Sequence, residues 1–223
     1  ASDVYKRQRI KFDRRVFIAC GVAGAISAGF NAPIAGVLFA HEALLRRFSI
    51  GAIAPIAVAS IVAYAANQAF FNLEPMFSLP DMPIELQPLI PFLIFTGVFS
   101  ALTAVAYMAA IRKGRELATR SQWSMPKLLL SCVVVVGAIG VVVPDVAGLG
   151  LQQINQMLDA QFGLGMLLVL LAGKIFVTAY CLNTGFFGGV FGPALFVGAA
   201  TGAVVAHVAI LVGLAPHLSY ALP

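Results

Sequence analysis

Residues 185–202 carry the residue types in this chain that are best suited to holding a ligand: GFFGGVFGPALFVGAATG. The glycines free the backbone to turn and leave no side chain in the path of an approaching ion. Pro193 lies where the first turn of a helix tolerates proline, and apolar and small residues come after it. The pattern predicts a helix that begins inside a membrane, with its first backbone N–H groups directed at a negative charge.

The same part of the chain holds no competing negative charge, because no aspartate or glutamate occurs from Gln161 to Pro223. The composition explains the membrane setting: 61% of the 223 residues are hydrophobic, 10% are charged, and the mean hydropathy is +0.95. Long apolar runs rich in Gly and Ala alternate with short polar connections, and none shows the two-residue period of barrel strands. We therefore predict an all-α integral membrane protein that crosses the lipid bilayer several times.

The net charge is +5, but the basic residues are clustered in a few short segments, which argues against a nucleic-acid partner. Thirteen of the fourteen Lys and Arg fall within Lys6–Arg15, Arg46–Arg47 and Arg112–Lys127. Cytoplasmic loops of membrane proteins show this enrichment. The proline-rich stretch Phe71–Pro91 holds three acidic residues and no Lys or Arg, so we place it on the opposite side.

Enzymatic and metal chemistry lack their characteristic residues in this sequence. No HExxH, G-x-S-x-G or Walker-type phosphate loop occurs, which predicts a protein that is not an enzyme and uses no cofactor. Cys20, Cys132 and Cys181 are each surrounded by apolar residues without CxxC spacing. We interpret them as small buried side chains and expect no disulfide and no metal site.

The apolar stretch Val16–Leu45 is too long for one membrane crossing. Its thirty residues would form a helix of about 45 Å, against a hydrocarbon thickness of about 30 Å. The sequence GFNAP breaks the run, so we predict two helices joined by a turn at Gly29–Ala32, with Pro33 in the first turn of the second.

The remaining runs predict further helices, some of them short or interrupted. Pro55 marks either a kink or a helix start in the first of them, and the stretch Val146–Leu158 is too polar to face lipid. Non-helical or short segments at membrane depth are tolerated where they are buried or line a site. The predicted helices cover residues 50–71, 89–111, 128–143 and 165–182, and a last helix ends near Leu214.

Two motifs resemble signatures of the CLC chloride channel and transporter family. GFNAPIAGVLFAHE at residues 29–42 is similar to the helix-pair signature of that family, and GGVFGP at residues 188–193 is similar to its second anion-binding signature. The resemblance covers nearly all of Lys11–Leu214, roughly the middle half of a typical member. It implies a CLC-type bundle of tilted, broken and re-entrant helices with an inverted-repeat architecture, of which this chain holds part.

The resemblance also implies a division of the chain. Residues 9–71 would end the first half of the inverted repeat, and residues 86–223 would start the second half. Residues 1–8 do not resemble the rest of the chain, and we interpret them as a non-native leader. The family's gating-glutamate and serine motifs would precede residue 9, and its pore tyrosine would come after residue 223.

For the site, the resemblance implies that chloride or a similar monovalent anion is bound by the backbone N–H groups of Val190 and Phe191. Gly188, Gly189 and Gly192 would shape the loop around it. The family's members are homodimers in which each subunit has its own anion pathway. The expected setting is the lipid bilayer of a bacterial inner membrane, with the basic loops in the cytoplasm.

Ala43 bears on whether protons are coupled to anion transport. In the family's proton-coupled exchangers two consecutive glutamates end this helix, and the second one relays protons. Here Glu42 is followed by Ala43, which cannot carry a proton, so passive or channel-like transport is favoured over antiport. His41 is the alternative proton carrier, because histidine is the side chain most suited to exchanging protons at physiological pH. A membrane scaffold that transports nothing is a third hypothesis.

Two charged residues have competing interpretations. Glu42 is expected to be structural and to pair with Arg46 four residues later. Lys174 interrupts an apolar helix, and a cation at membrane depth is a candidate for function because it is costly. It either raises the electrostatic potential along an anion path, or it snorkels to the cytoplasmic edge or pairs with a carbonyl at a helix end.

Overall fold

The computed structural model describes residues 14–46, 50–71, 77, 86–186 and 188–212, except the side chains of residues 86–89 and 91. Every regular element in these residues is helical, which confirms the predicted all-α class. The chain forms two compact units, Ala1–Met76 and Phe77–Pro223. The leader proposed at residues 1–8 and the acidic residues 74, 81 and 85 lie outside the described part.

The first unit contains a helix pair and one long helix. Its elements are α1 (Arg14–Phe30), α2 (Pro33–Phe39), a π-helical segment (Ala40–Leu45) and α3 (Ile50–Phe71). The predicted break between α1 and α2 is confirmed, and only Asn31 and Ala32 separate the two helices. Asn31 has a φ of 54°, in the left-handed region that asparagine tolerates better than most residues.

Small residues allow α1, α2 and α3 to approach closely. A methyl group added at Gly36 of α2 would lie 2.5 Å from the carbonyl oxygen of Ala23 in α1. The buried Ser60 of α3 donates a hydrogen bond from its hydroxyl to the carbonyl of Pro33, 2.7 Å away. The hydroxyl of Ser27 in turn donates to the carbonyl of Ser60, also at 2.7 Å. The turn between α1 and α2 is therefore held tightly against α3.

The second unit consists of helices of very different length. Its elements are α4 (Leu86–Arg120), α5 (Met125–Val142), a 3₁₀ turn (Pro144–Val146), α6 (Leu151–Leu158), α7 (Leu164–Asn183) and α8 (Phe191–Leu211). Its core joins α6, α7 and α8 through the buried side chains of Ile154, Leu167, Leu170 and Phe196. The short polar helix α6 is thus packed within the unit, as the sequence predicts for this segment.

Three boundaries differ from the sequence-based predictions. Helix α4 does not end at Ile111 but continues through the basic cluster to Arg120, because Arg, Lys, Glu, Leu and Ala are good helix formers. Helix α5 begins at Met125, three residues before the predicted start, with a proline in its first turn. Helix α4 also begins three residues before its predicted start, at Leu86. The bounds of α3 match the predicted 50–71, and Pro55 lies inside that helix, so of the two alternatives the helix start is excluded.

Within the described residues, five helices are long and apolar enough to cross a membrane: α3, the part of α4 from Phe92 to Arg120, α5, α7 and α8. Large apolar side chains are exposed along them, such as Ile50 at 89% and Val141 at 83%. Exposed apolar surface on this scale suits contact with lipid. The chain is therefore a multi-pass membrane protein.

Candidate functional site

The connection from α7 to α8 begins with a capped helix end. The backbone N–H groups of Thr184 and Phe186 both donate to the carbonyl of Cys181, at 3.3 and 3.2 Å. Gly185 lies between them with a φ of 98°, and a methyl group there would lie 2.5 Å from the Cε atom of Met125. The backbone angle therefore favours glycine at position 185, whereas the flexible end of the Met125 side chain could move away from a methyl group.

Helix α8 begins at Phe191 without a capping side chain. Val190 is the N-cap residue, and its own side chain makes no capping hydrogen bond. The first bond of the helix runs from the N–H of Ala194 to the carbonyl of Val190, at 3.1 Å. By helix geometry, the N–H groups of Val190, Phe191 and Gly192 point beyond the end of the helix. This end carries about half a unit of positive charge.

The space around this helix start is open on one side and packed on the other. A methyl group added at Gly188 or Gly189 would meet no atom within 4 Å among the described residues. The side chains of Val190 and Phe191 are 45% and 41% exposed. Gly192, in contrast, is buried, and a methyl group there would lie 3.1 Å from Leu149.

Residues 146–150 form a support behind the first turns of α8. Leu149 faces Gly192, and Gly150 lies directly against the ring of the fully buried Phe196. Gly150 has a φ of 75°, so its backbone angle favours glycine as well. Leu149, Gly150 and Phe196 were not among the predicted site residues. The pair Gly148 and Gly150 in a polar segment was the signal available in the sequence.

Lys174 holds this support in place from α7. It is only 2% exposed, and its Nζ donates to the carbonyls of Val146 and Gly148, at 3.0 and 2.7 Å. The same Nζ lies 4.6 Å from the centre of the Phe196 ring, a cation–π geometry. In the described part of the chain its partners are these two carbonyls and the ring, with no carboxylate. Lys174 thus donates hydrogen bonds to backbone carbonyls and also places a buried positive charge next to α8.

The residues proposed for proton transfer belong to the first unit and lie in the π-helical segment. His41 is 1% exposed, and its Nδ1 lies 3.0 Å from the carbonyl of Val37. Because a carbonyl only accepts, Nδ1 is the donor. Glu42 and Ala43 are exposed. π-helical turns are rare in proteins as a whole, but many of those that occur lie at functional sites.

The ion pair expected between Glu42 and Arg46 does not form between these two described residues. Side chains four positions apart are neighbours in an α-helix. Here the segment is π-helical, and Arg46 ends it with a left-handed φ of 53°. Because of the change of helix type and the left-handed residue, the two side chains are not the direct neighbours that they would be in an α-helix.

The fold and this site define a multi-pass membrane protein built from broken and short helices, in which α8 starts without a side-chain cap from Val190. The chain belongs to the family described as voltage gated chloride channel, which it matches over residues 2–222. The resemblance inferred from its two motifs is thereby confirmed.

Individual relatives agree with this family. The chain is 32% identical to an H(+)/Cl(-) exchange transporter ClcA of Vibrio cholerae over 209 residues, 90% of this chain and 44% of the relative. It is 29% identical to a putative ClcB-like chloride channel protein of Ralstonia nicotianae, over 93% of this chain and 49% of the relative. A chloride channel protein CLC-f of Arabidopsis thaliana is 26% identical over 86% of this chain and 26% of the relative. The chain spans less than half the length of these relatives.

Proposed function

We propose that the protein carries chloride or a similar monovalent anion across the membrane and holds it at the start of α8. The observation that carries the proposal is the geometry of that start. The N–H groups of Val190 and Phe191 belong to the first turn of α8, whose N–H groups are directed towards the helix N-terminus. A methyl group at the preceding Gly188 or Gly189 would meet no described atom. Backbone amides can replace part of an ion's hydration without trapping the ion. The names of the relatives support chloride as the anion.

Lys174 supports an anion as the ligand over a cation. Its buried ammonium group contacts the ring of Phe196, which lies five residues after the first residue of α8. The two carbonyls that accept its hydrogen bonds are neutral groups, so they do not cancel its positive charge. Coulomb interactions are stronger in a medium of low dielectric constant than in water. In our proposal Lys174 raises the potential near the helix start and also fixes the support formed by residues 146–150. No acidic residue occurs from Gln161 to Pro223, and the carboxylate of Asp145, next to Val146, accepts a hydrogen bond from Gln153.

The mechanism we favour is passive, channel-like transport. Ala43 has no group that can carry a proton and occupies the position where the resemblance implies a proton-relaying glutamate. The alternative is proton-coupled antiport. It is favoured by the 32% identity to a relative named as an H(+)/Cl(-) exchange transporter, and His41 would be its proton carrier.

We further propose that the protein acts as a homodimer in the bilayer of a bacterial inner membrane, with its basic loops in the cytoplasm. The exposed apolar faces of α3 to α5 offer surface both for lipid and for a second copy. The basic residues at the end of α4 and the start of α5 match the charge pattern of cytoplasmic loops.

The amide site is tested with the variant Val190→Pro in the full-length protein. Proline removes the N–H at position 190, and the φ of −84° there is close to the value that proline requires. A lost hydrogen bond to a charged group costs about 1.5–3 kcal/mol, so chloride should bind about tenfold or more weakly by isothermal titration calorimetry. Val190→Ala keeps the N–H and should bind as the unmodified protein does. Equal affinity in all three proteins would refute the role of this amide.

The mode of transport is tested in liposomes that contain the full-length protein under a chloride gradient. Rapid chloride efflux without proton movement is the expected result. Uphill proton movement driven by chloride would refute passive transport, and its loss in His41→Ala but not in Glu42→Gln would assign it to His41. No anion flux through folded protein would support the scaffold hypothesis instead.

A further inference from the structure

Two thiols lie next to each other inside the second unit. The Sγ atoms of Cys132 in α5 and Cys181 in α7 are 3.7 Å apart, although the residues are 49 positions apart in the sequence. Both are free thiols. The sulfur atoms of a disulfide are about 2.0 Å apart, so these two would need to approach by about 1.7 Å.

A neighbouring hydrogen bond holds the two helices in this register. The hydroxyl of Tyr180 donates to the hydroxyl oxygen of Ser131, at 3.1 Å. Ser131 and Tyr180 are the residues immediately before the two cysteines. Cys132 is 2% exposed and is therefore confined by its surroundings. The two sulfur atoms are held near each other by the packing of α5 against α7.

The residues immediately before the two cysteines, Ser131 and Tyr180, line a cavity, although the cysteines themselves do not. It has a volume of about 210 Å³ and is lined by Ser131, Tyr180 and Thr184, among others. This volume exceeds the space of about 30 Å³ that a water molecule occupies in the liquid. Cys181 lies beside this cavity in sequence and is partly exposed, whereas Cys132 is buried. Cys181 is therefore the thiol that an oxidant reaches first.

We propose that Cys132 and Cys181 form a reversible disulfide that links α5 to α7 and slows anion transport. With hydrogen peroxide as the oxidant, the sulfur of Cys181 attacks one peroxide oxygen, the O–O bond breaks and one water leaves. The thiol of Cys132 then attacks the resulting sulfenic sulfur, the S–O bond breaks and a second water leaves. Two thiols and one peroxide thus give one disulfide and two waters, and a dithiol reductant reverses the change by exchange.

The effect on transport results from the place of Cys181 at the end of α7, and this step rests on the proposed function. The carbonyl of Cys181 accepts hydrogen bonds from the N–H groups of Thr184 and Phe186. These residues begin the connection that leads to Val190 and the start of α8. A bond that draws Cys181 towards α5 changes this cap, and with it the position of the proposed anion site.

The test oxidises the full-length protein in liposomes with hydrogen peroxide and then reads the bond and the flux separately. Peptide mapping by mass spectrometry should find the two peptides joined, with the loss of two hydrogen atoms. Chloride flux should fall several-fold and recover with dithiothreitol. Cys132→Ala and Cys181→Ala should each abolish both effects, whereas Cys20→Ala, which removes a thiol of the first unit, should change neither.

The possible results separate the disulfide proposal from the proposed transport function. Absence of the linked peptides would overturn the proposal, and so would linked peptides with unchanged chloride flux. If the reduced and folded protein shows no flux at all, the proposed function fails. The mass spectrum still reports on the disulfide in that case, so the two failures are distinguishable.

Discussion

The helix starts of α2 and α8 have similar sequences and opposite surroundings. Each comes after a break in an apolar run and has a proline in its first turn, Pro33 in one and Pro193 in the other. The start of α2 is closed: Ser60 donates to the carbonyl of Pro33, and Gly36 packs against α1. The start of α8 is open on the side of Gly188 and Gly189, where an added methyl group meets no described atom.

The difference shows that such a motif is not by itself a binding site. In α2 the glycine and the nearby serine serve close helix packing, and the helix has only seven α-helical residues. In α8 packing is confined to the rear, where Leu149 and Phe196 support the first turns. On the opposite side, the N-cap residue Val190 provides no side-chain cap. The helix that begins there is 21 residues long, three times the length of α2. Three Gly→Ala variants test this contrast.

The largest effect is expected behind α8, for Gly150→Ala. A left-handed backbone angle costs a non-glycine residue about 1–2 kcal/mol, and the methyl group must also displace Phe196, which costs about 1–3 kcal/mol more. Thermal unfolding in detergent should show this loss, and chloride affinity should fall with it. Gly148→Ala is the matched control because it shares the positive φ but meets no described neighbour. Equal stability of the two variants would show that Phe196 does not support α8.

A smaller loss is expected for Gly36→Ala in the closed turn. The methyl group would press on the carbonyl oxygen of Ala23, at a cost of about 1–3 kcal/mol. The better helix propensity of alanine offsets about 1 kcal/mol of this. Gly21→Ala in α1 has open space and should instead raise the unfolding temperature slightly. A stabilised Gly36→Ala variant would contradict the close packing of α1 and α2.

The smallest change in stability is expected for Gly189→Ala at the open front. No described atom opposes the methyl group, so the free energy of unfolding should change by less than about 0.5 kcal/mol. Chloride affinity should nevertheless fall, because the methyl group occupies space proposed for the ion. The measurement is a pair of assays on one sample, thermal unfolding and calorimetric chloride titration. Unchanged affinity would mean that the ion does not approach this residue.

Much of the fold can be derived from local signals in the sequence. The break before Pro33, the short polar segment that contains α6, and the start of α8 at the GVFGP motif were all predictable because glycine, proline and polarity act locally. The extension of α4 to Arg120 was not predicted. Its basic residues were interpreted as a loop, although the same residues are good helix formers.

The parts of the candidate site that were missed depend on contacts distant in sequence. The carbonyl partners of Lys174 come from 26 and 28 residues earlier in the chain, and no spacing rule indicates them. The same holds for the contact of Gly150 with Phe196. Cys132 and Cys181 were interpreted as isolated buried thiols, because only the packing of α5 on α7 brings them together. The π-helical segment Ala40–Leu45 also has no simple sequence signal.

That π-helical segment has a consequence for how the length of the chain can vary. A π-helical turn closes its hydrogen bonds over five residues where an α-helical turn uses four, so it stores one additional residue. Loss of one residue between Ala40 and Leu45 would return the segment to an α-helix and leave α3 in place. The same deletion within α3 would rotate every later side chain by about 100° around the helix axis. Ala40–Leu45 is thus a place in the first unit where the chain can lose one residue and keep the helices on either side.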